Sequence, residues 1–295
     1  MDAASSIRLV ALSAIWGGSF LFMRIAAPVL GPVVLTASRA VCAALFLLAV
    51  GLALRKPLDA RRYWKHYLVL GVFNSALPFL LFSFSAQTLS TSLMAILNAT
   101  APIFGAVIGA LWTRRMPSGR TVAGLVLGVA GVGVLVGADT IALQPGAITA
   151  IAAALGASLC YGIATHYAKT VAAAEPFANA HGTMWAAVIL VVPAIPFAPP
   201  IGAPDALVVA AAAALGLLCT GVAYLIYFRL IRDLGATSAL TVTFLIPVFG
   251  VLWGSLFLAE AVRWNTLAGA GIVVLGTALV THFNPLALVR QGGSA

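Results

Sequence analysis

The residues of this chain that could do chemistry are aromatic and uncharged polar side chains set singly into long apolar stretches. Asn98 lies one helical turn before Pro102, and Thr243 lies one turn before Pro247, so each polar group shares a helix face with its proline. Aromatic walls with a few hydrogen-bonding groups are typical of a small-molecule site. The alternative role for each residue is interhelical hydrogen bonding or an aromatic belt. The predicted substrate cavity contains Trp16, Ser19, Asn74, Phe79, Asn98, Tyr161, Thr165, His166, Tyr224 and Thr243.

Glycine and proline inside the apolar stretches predict helix bends. Proline removes a backbone donor and frees a carbonyl, while glycine lowers helix stability and lets backbones approach closely. Within a membrane such breaks are tolerated where the backbone lines a cavity. The predicted bends are Gly17, Gly18, Gly162, Pro78, Pro102 and Pro247.

The charged residues argue against catalysis and against metal binding. All seven acidic residues fall at the termini or at the ends of apolar stretches, so no carboxylate is placed at mid-membrane to couple transport to sodium or protons. His166 is a candidate proton shuttle, with helix packing as the alternative. The three cysteines have no CxxC spacing and are predicted to pack helices. We expect no metal, no cofactor and no catalytic residue.

Four further charged residues are predicted to have structural or gating roles. Arg39 lies inside an apolar stretch, where a guanidinium needs a partner or must extend towards an interface. Arg24 and Lys169 occupy equivalent places near the ends of two stretches. They are expected to anchor their helices at the interface, and the alternative is that one of them holds a substrate carboxylate or gates the pathway. Glu260 follows the ninth apolar stretch.

The composition places the chain in a membrane. Of 295 residues, 62% are hydrophobic and 8% are charged, and the mean hydropathy is +1.10, so the apolar surface cannot be hidden in one soluble core. The net charge of +9 comes from basic residues scattered between long apolar runs, which excludes nucleic-acid binding. A membrane-embedded enzyme is also disfavoured, because the DDxxD and HExxH signatures are missing from the sequence and GxSG is incomplete.

Apolar windows long enough to cross about 30 Å of hydrocarbon can be placed ten times. The predicted spans are 7–27, 33–54, 67–87, 91–112, 119–137, 147–168, 178–198, 206–228, 236–258 and 265–283. With a cytoplasmic amino terminus, thirteen basic residues lie on the inside, against Arg24 and Arg263 on the outside. This bias predicts that both termini are cytoplasmic.

The chain repeats itself at a constant offset of 145 residues. Pro102–Gly105 returns as Pro247–Gly250, and Gly124 returns as Gly269. We therefore predict two five-span repeats, at residues 1–140 and 146–290. Because five is an odd number, the second repeat must cross the membrane in the opposite sense, and the basic residues at the span ends exchange sides accordingly. The fold class is thus an all-α membrane protein of ten helices in two inverted repeats.

These features resemble the drug/metabolite transporter superfamily, and most of all its EamA-type exporters. The resemblance rests on Trp16-Gly17 followed by Arg24, on Arg39, and on the repeated Pro-x-Phe-Gly motif. It covers nearly the whole chain. Glu260 is similar to a glutamate that commonly follows the ninth span in the family, whereas Arg114-Arg115 stands where the first repeat often carries Gly-Glu.

The resemblance implies a secondary transporter of the cell inner membrane that works by alternating access around a central cavity. The chain most resembles amino-acid exporters of the YddG type, which implies transport of neutral or aromatic amino acids or similar small metabolites. A multidrug transporter or a lipid or polyprenyl-carrier flippase of the same fold is the alternative. The resemblance is compatible both with uncoupled flux of the substrate and with proton antiport. The expected partners are a small-molecule substrate and membrane lipids, and one chain carrying both repeats is expected to function as a monomer.

Overall fold

The computed structural model describes residues 3–114, 116–137, 145–170, 175–234 and 242–281. Within these ranges every regular element is a helix, which confirms the prediction of an all-helical chain for this part. Arg115 and the side chain of Lys169 lie outside the described residues.

The helices follow one another with short connections. They are α1 (Ala3–Ala53), α2 (Ala60–Leu70), α3 (Leu77–Ser85), α4 (Thr91–Asn98), α5 (Ala101–Thr113), α6 (Gly119–Gly137), α7 (Ala147–Thr170), α8 (Pro176–Val191), α9 (Ala206–Gly216), α10 (Ala223–Leu234), α11 (Val242–Leu258) and α12 (Trp264–Val280). In the described residues, seven continuous helical segments are long and apolar enough to cross a bilayer, and α11 and α12 are shorter apolar helices. The count of ten spans stays a prediction.

Helix α1 consists of two arms that meet at a kink and cover the first two predicted spans. Gly31 has φ 71° and ψ 165°, a conformation that side-chain-bearing residues rarely adopt, and Pro32 follows it. The backbone N–H groups of Ile201 and Gly202 both donate to the carbonyl of Val29 at 2.9 Å. The connection before α9 therefore satisfies a carbonyl beside the kink.

Two π-helical turns lie at equivalent places in the two halves. Gly71–Ala76 joins α2 to α3, and Leu217–Val222 joins α9 to α10, so the second begins one residue after the position expected from the 145-residue offset. Pro78 lies two residues after the first turn, at the start of α3, and has no N–H to donate to the carbonyl of Asn74 four residues earlier. In the second, the Thr220 hydroxyl donates to the carbonyl of Leu215 at 3.0 Å. The bend predicted at Pro78 is thus a widened turn, a feature frequent at functional sites.

The two prolines of the repeated motif differ in their surroundings. The chain breaks between α4 and α5 at residues 99–100, immediately before the first turn that holds Pro102. Pro247 lies inside α11, which continues through it. The paired bend that the repeat predicts is therefore present as a helix break in the first half alone, within the described residues.

The glycines predicted as bends lie in uninterrupted helix and serve close packing instead. A Cβ on Gly17 would lie 2.7 Å from Phe249 Cβ, and a Cβ on Gly162 would lie 2.9 Å from the carbonyl carbon of Phe104. Gly17 and Gly162 are repeat equivalents, as are Phe104 and Phe249. The first helix of each half thus packs against the helix of the other half that carries the repeated Pro-x-Phe-Gly motif, and small residues allow that close approach. Gly18, where α1 also continues, has more room.

The two last helices of the repeats, α6 and α12, pack against each other through glycine. A Cβ on Gly124 would lie 2.6 Å from the carbonyl oxygen of Gly276, and one on Gly131 would lie 3.1 Å from that of Gly269. Since Gly124 is equivalent to Gly269 and Gly131 to Gly276, the contacts are reciprocal and the helices run antiparallel.

Ion pairs near the helix termini mark one of the two ends of the helix bundle. At one end Arg8 binds Asp233 at 2.9 Å and Lys56 binds Glu175 at 3.2 Å. We call this the basic end, because it also carries Arg55, Arg61, Arg62, Lys65, Arg114, Arg120, Arg229 and Arg232. The opposite end holds the kink of α1 and the connections after α3 and α11.

Candidate functional site

A cavity of about 610 Å³ lies between the helices of the two halves. All ten residues predicted to form the substrate cavity line it, so the structure brings together side chains from six separate helical segments. Its lining also includes residues that the sequence did not assign to the cavity, among them Met23, Arg39, Phe82 and Cys219. Substrate binding by these residues stays a prediction.

Aromatic rings form the walls of the cavity. Trp16 and Tyr227 have ring centroids 5.4 Å apart. Phe82 stacks on Tyr161 at 6.3 Å and meets Phe20 edge to face at 5.3 Å. These contacts lock the rings against one another, so the cavity has rigid apolar walls.

Uncharged polar groups are distributed around these walls. The Asn74 side-chain amide donates to the hydroxyl of Tyr224 at 3.3 Å, which joins the first half to the second. The Ser19 hydroxyl donates to the carbonyl of Trp16 at 2.6 Å. Asn98 lies at the end of α4, where the backbone N–H that would bond to its carbonyl is missing from Pro102. The cavity can therefore both donate and accept hydrogen bonds.

Arg39 is the one lysine or arginine side chain among the described residues that line the cavity. It is 7% exposed. Its Nε donates to the Thr220 hydroxyl at 3.0 Å, and its guanidinium carbon lies 3.6 Å from the centre of the Phe79 ring. A hydrogen bond to an uncharged hydroxyl and a cation–π contact hold the group in place without neutralising it. Sequence reasoning recognised Arg39 as buried but did not place it in the cavity.

Buried side chains of the described residues close the cavity at one end, and its described lining extends towards the other end. Phe20, Met23 and Phe82 close it towards the end opposite the basic end, and their exposed fractions are 4%, 1% and 2%. Towards the basic end its lining reaches Thr165, which is exposed, and Thr281 beyond the end of α12.

Two opposite charges hold the closed end together by binding one turn of the chain. Arg24 Nη1 donates to the backbone carbonyls of residues 86–87, both at 2.9 Å. Glu260 accepts from the backbone N–H groups of Thr91 and Ser92 at 2.6 and 3.1 Å, and from the Ser92 hydroxyl at 2.9 Å. A cation thus meets the carboxyl end of α3 and an anion meets the amino end of α4, as the helix dipoles favour. We call Arg24, Glu260 and this turn the clasp.

The histidines have different surroundings. His166 lines the cavity beside Trp112, with ring centroids 5.1 Å apart, and its Nε2 is buried without a hydrogen-bond partner among the described residues. His181 Nε2 accepts from the indole N–H of Trp185 at 2.9 Å, which is a packing role. In the described part of the chain no three His, Cys, Asp or Glu residues come together as metal ligands would.

A model of the EamA-like transporter family matches this chain twice, at residues 5–137 and again at residues 148–282. The chain belongs to the EamA-like transporter family. An uncharacterized transporter of Archaeoglobus fulgidus is 24% identical over 276 residues, which cover 90% of this chain and 95% of the relative. The uncharacterized transporter YoaV of Bacillus subtilis is 24% identical over 272 residues, which cover 91% and 93%.

A solved crystal structure shares the fold of this EamA family member. The two sequences are 19% identical, and the structural match covers 100% of both chains with a TM-score of 0.67. The predicted resemblance to the EamA-type branch of the drug/metabolite transporters is confirmed by the family match. The family and its apolar helices make the chain a multi-pass membrane protein of a transporter family.

Proposed function

We propose that this chain is a secondary carrier that exports neutral or aromatic amino acids, or similarly small metabolites, across the cell inner membrane by alternating access. The observation that carries the proposal is the cavity of about 610 Å³, walled by aromatic rings and lined by uncharged polar groups. Pockets for small molecules are typically about 300–1,000 Å³ and have this make-up. A carrier needs no catalytic group, and the proposal includes none.

The proposed topology has ten crossings in two inverted repeats, residues 1–140 and 146–290, with both termini in the cytoplasm. It counts the two arms of α1 as separate spans. Reciprocal antiparallel packing of α6 and α12 supports an inverted pseudo-two-fold axis between the repeats. The concentration of arginine and lysine at the basic end supports a cytoplasmic location for that end. One chain would carry both repeats of the carrier and function as a monomer.

In this orientation the clasp closes the outer side, and the described residues leave the cavity open towards the cytoplasm. Export would require Arg24 and Glu260 to release the 86–92 turn while the basic end closes over the substrate. The exchanged packing of α1 and α7 supports such a motion, because each half holds the first helix of the other. Rocking of one half against the other would then move both helices together.

Counterflow in proteoliposomes tests the proposal. Vesicles containing the purified protein are loaded with one unlabelled amino acid at a time, and uptake of the same labelled compound is measured with and without an imposed pH gradient. We expect saturable exchange of at least one neutral or aromatic amino acid. No exchange of any amino acid, in vesicles shown to contain folded protein, would refute the proposed substrate class and favour a drug or lipid as the transported compound. The gradient arm decides whether flux is coupled to protons.

A further inference from the structure

The guanidinium of Arg39 is held rigidly at the cavity wall. Its Nε is occupied by the Thr220 hydroxyl at 3.0 Å, and its face lies 3.6 Å from the centre of the Phe79 ring. Thr220 is itself oriented by its bond to the Leu215 carbonyl at 3.0 Å. These contacts use one N–H and one face of the group, so the edge formed by Nη1 and Nη2 is the part left for a ligand.

That edge has no protein partner in the described ranges. No hydrogen bond from Nη1 or Nη2 reaches a described acceptor, since the single bond of this side chain to a described group is made by Nε. No described acidic residue lines the cavity. The acids that the structure describes lie at helix ends or in connections, namely Asp59, Glu175, Asp205, Asp233 and Glu260.

A charge in this position is costly unless something neutralises it. Burying an unpaired guanidinium within the membrane is unfavourable, and ionisable residues there mark substrate or ion pathways. The planar edge of arginine matches a carboxylate, which accepts two parallel hydrogen bonds from it. We propose that Arg39 is the anion-binding residue of the cavity and holds the carboxylate, or a similar planar oxyanion, of the transported compound. This inference rests on the proposed carrier function and names the group that its substrate must carry.

The remainder of the cavity fits the other end of such a compound. Trp16, Tyr161, Phe82 and Tyr227 offer apolar faces to a side chain, and the Trp16 and tyrosine rings also attract an ammonium group. Asn98 adds an uncharged acceptor. The cavity is therefore suited to a small acid with an apolar body, and amines that lack an acidic group should bind poorly.

The first experiment compares acids with their amides. L-Leucine, L-phenylalanine, L-leucinamide and L-phenylalaninamide compete against whichever labelled amino acid the wild-type carrier exchanges. We expect each amide to inhibit at least about tenfold more weakly than its acid, because a hydrogen-bonded charge pair is lost. In Arg39→Gln, inhibition by each acid should fall to the level of inhibition by its amide. Arg263→Gln, the same substitution at an exposed arginine of the opposite end, should keep the wild-type discrimination. Equal inhibition by acid and amide in the wild type, or retained discrimination in Arg39→Gln, would overturn the inference.

The second experiment needs no known substrate. In a variant whose three cysteines are replaced by alanine, Asn98→Cys places one thiol at the cavity wall. Its reaction rates with anionic 2-sulfonatoethyl methanethiosulfonate and cationic 2-(trimethylammonium)ethyl methanethiosulfonate report the local potential. We expect the anionic-to-cationic rate ratio to fall about tenfold on adding Arg39→Gln and to be kept by Arg39→Lys, which retains the charge.

The two experiments separate the two proposals. If the wild-type protein exchanges no amino acid, the proposed substrate class fails, and the rate ratio alone decides whether Arg39 presents its charge to an anion. A ratio unchanged by Arg39→Gln shows that the charge does not reach the cavity and overturns the anion site, whatever the carrier transports.

Discussion

Gly17 and Gly18 are neighbours on α1 with very different room for a methyl group. A Cβ on Gly17 would lie 2.7 Å from Phe249 Cβ and 3.0 Å from the backbone nitrogen of Gly250. A Cβ on Gly18 would have Trp253 as its nearest neighbour, at an ordinary contact distance of 3.7 Å. Alanine at Gly17 must therefore push α1 away from α11, whereas alanine at Gly18 fits.

The expected difference between the two alanine variants is about 3 kcal/mol. In the helix interior each substitution gains up to about 1 kcal/mol because alanine is the better helix former. Overpacking at Gly17 costs about 1–3 kcal/mol, and the upper part of that range applies because a backbone atom of Gly250 cannot move aside as a side-chain end can. Gly17→Ala should thus destabilise the protein by about 2 kcal/mol, and Gly18→Ala should be neutral or stabilising.

Thermal unfolding in nanodiscs measures the difference. We expect the melting temperature of Gly17→Ala to fall below that of the wild type, and that of Gly18→Ala to stay level or rise. Gly162→Ala should behave like Gly17→Ala, because its Cβ would lie 2.8 Å from the backbone nitrogen of Gly105. If Gly17→Ala is as stable as Gly18→Ala, the close packing of the two halves described above is incorrect.

Two further predictions concern the clasp and the cavity. Glu260→Gln weakens three hydrogen bonds to the 91–92 backbone and hydroxyl groups and should lower the free energy of unfolding by about 1–3 kcal/mol. Glu175→Gln, at a solvent-exposed ion pair, should change that free energy by less than about 1 kcal/mol. Equal melting temperatures for the two variants would argue against the clasp. Tyr161→Ala and Tyr224→Ala should each reduce transport without loss of folded protein, and undiminished flux in both would remove these residues from the binding site.

The helices and the cavity lining could be predicted from the sequence because both depend on local patterns of apolar, polar and aromatic residues. Apolar stretches of membrane length mark the helices, and the 145-residue offset identifies equivalent positions. Polar and aromatic residues that lie within apolar helices must face another helix or a cavity. For that reason residues as far apart as Trp16 and Thr243 could be assigned to one cavity from their types alone.

The rest depends on contacts between distant segments, which local pattern does not carry. The second π-helical turn contains no proline from which it could be predicted, and its Thr220 hydroxyl accepts a hydrogen bond from Arg39 of another helix. The clasp forms because Arg24 and Glu260 meet the same turn from two different halves. Gly17 suggested a bend by its type, but close packing follows from its neighbour Phe249, which the sequence could not identify.

The most direct test of alternating access measures the reactivity of the Asn98→Cys thiol from each side of the membrane. A membrane-impermeant thiol reagent is added to inside-out or right-side-out vesicles, with the clasp intact or weakened by Glu260→Gln. We predict faster labelling from the cytoplasmic side when the clasp is intact. Weakening the clasp should raise the labelling rate from the outer side and lower the rate from the cytoplasmic side. Labelling rates that rise together on both sides would indicate a continuous channel and contradict alternating access.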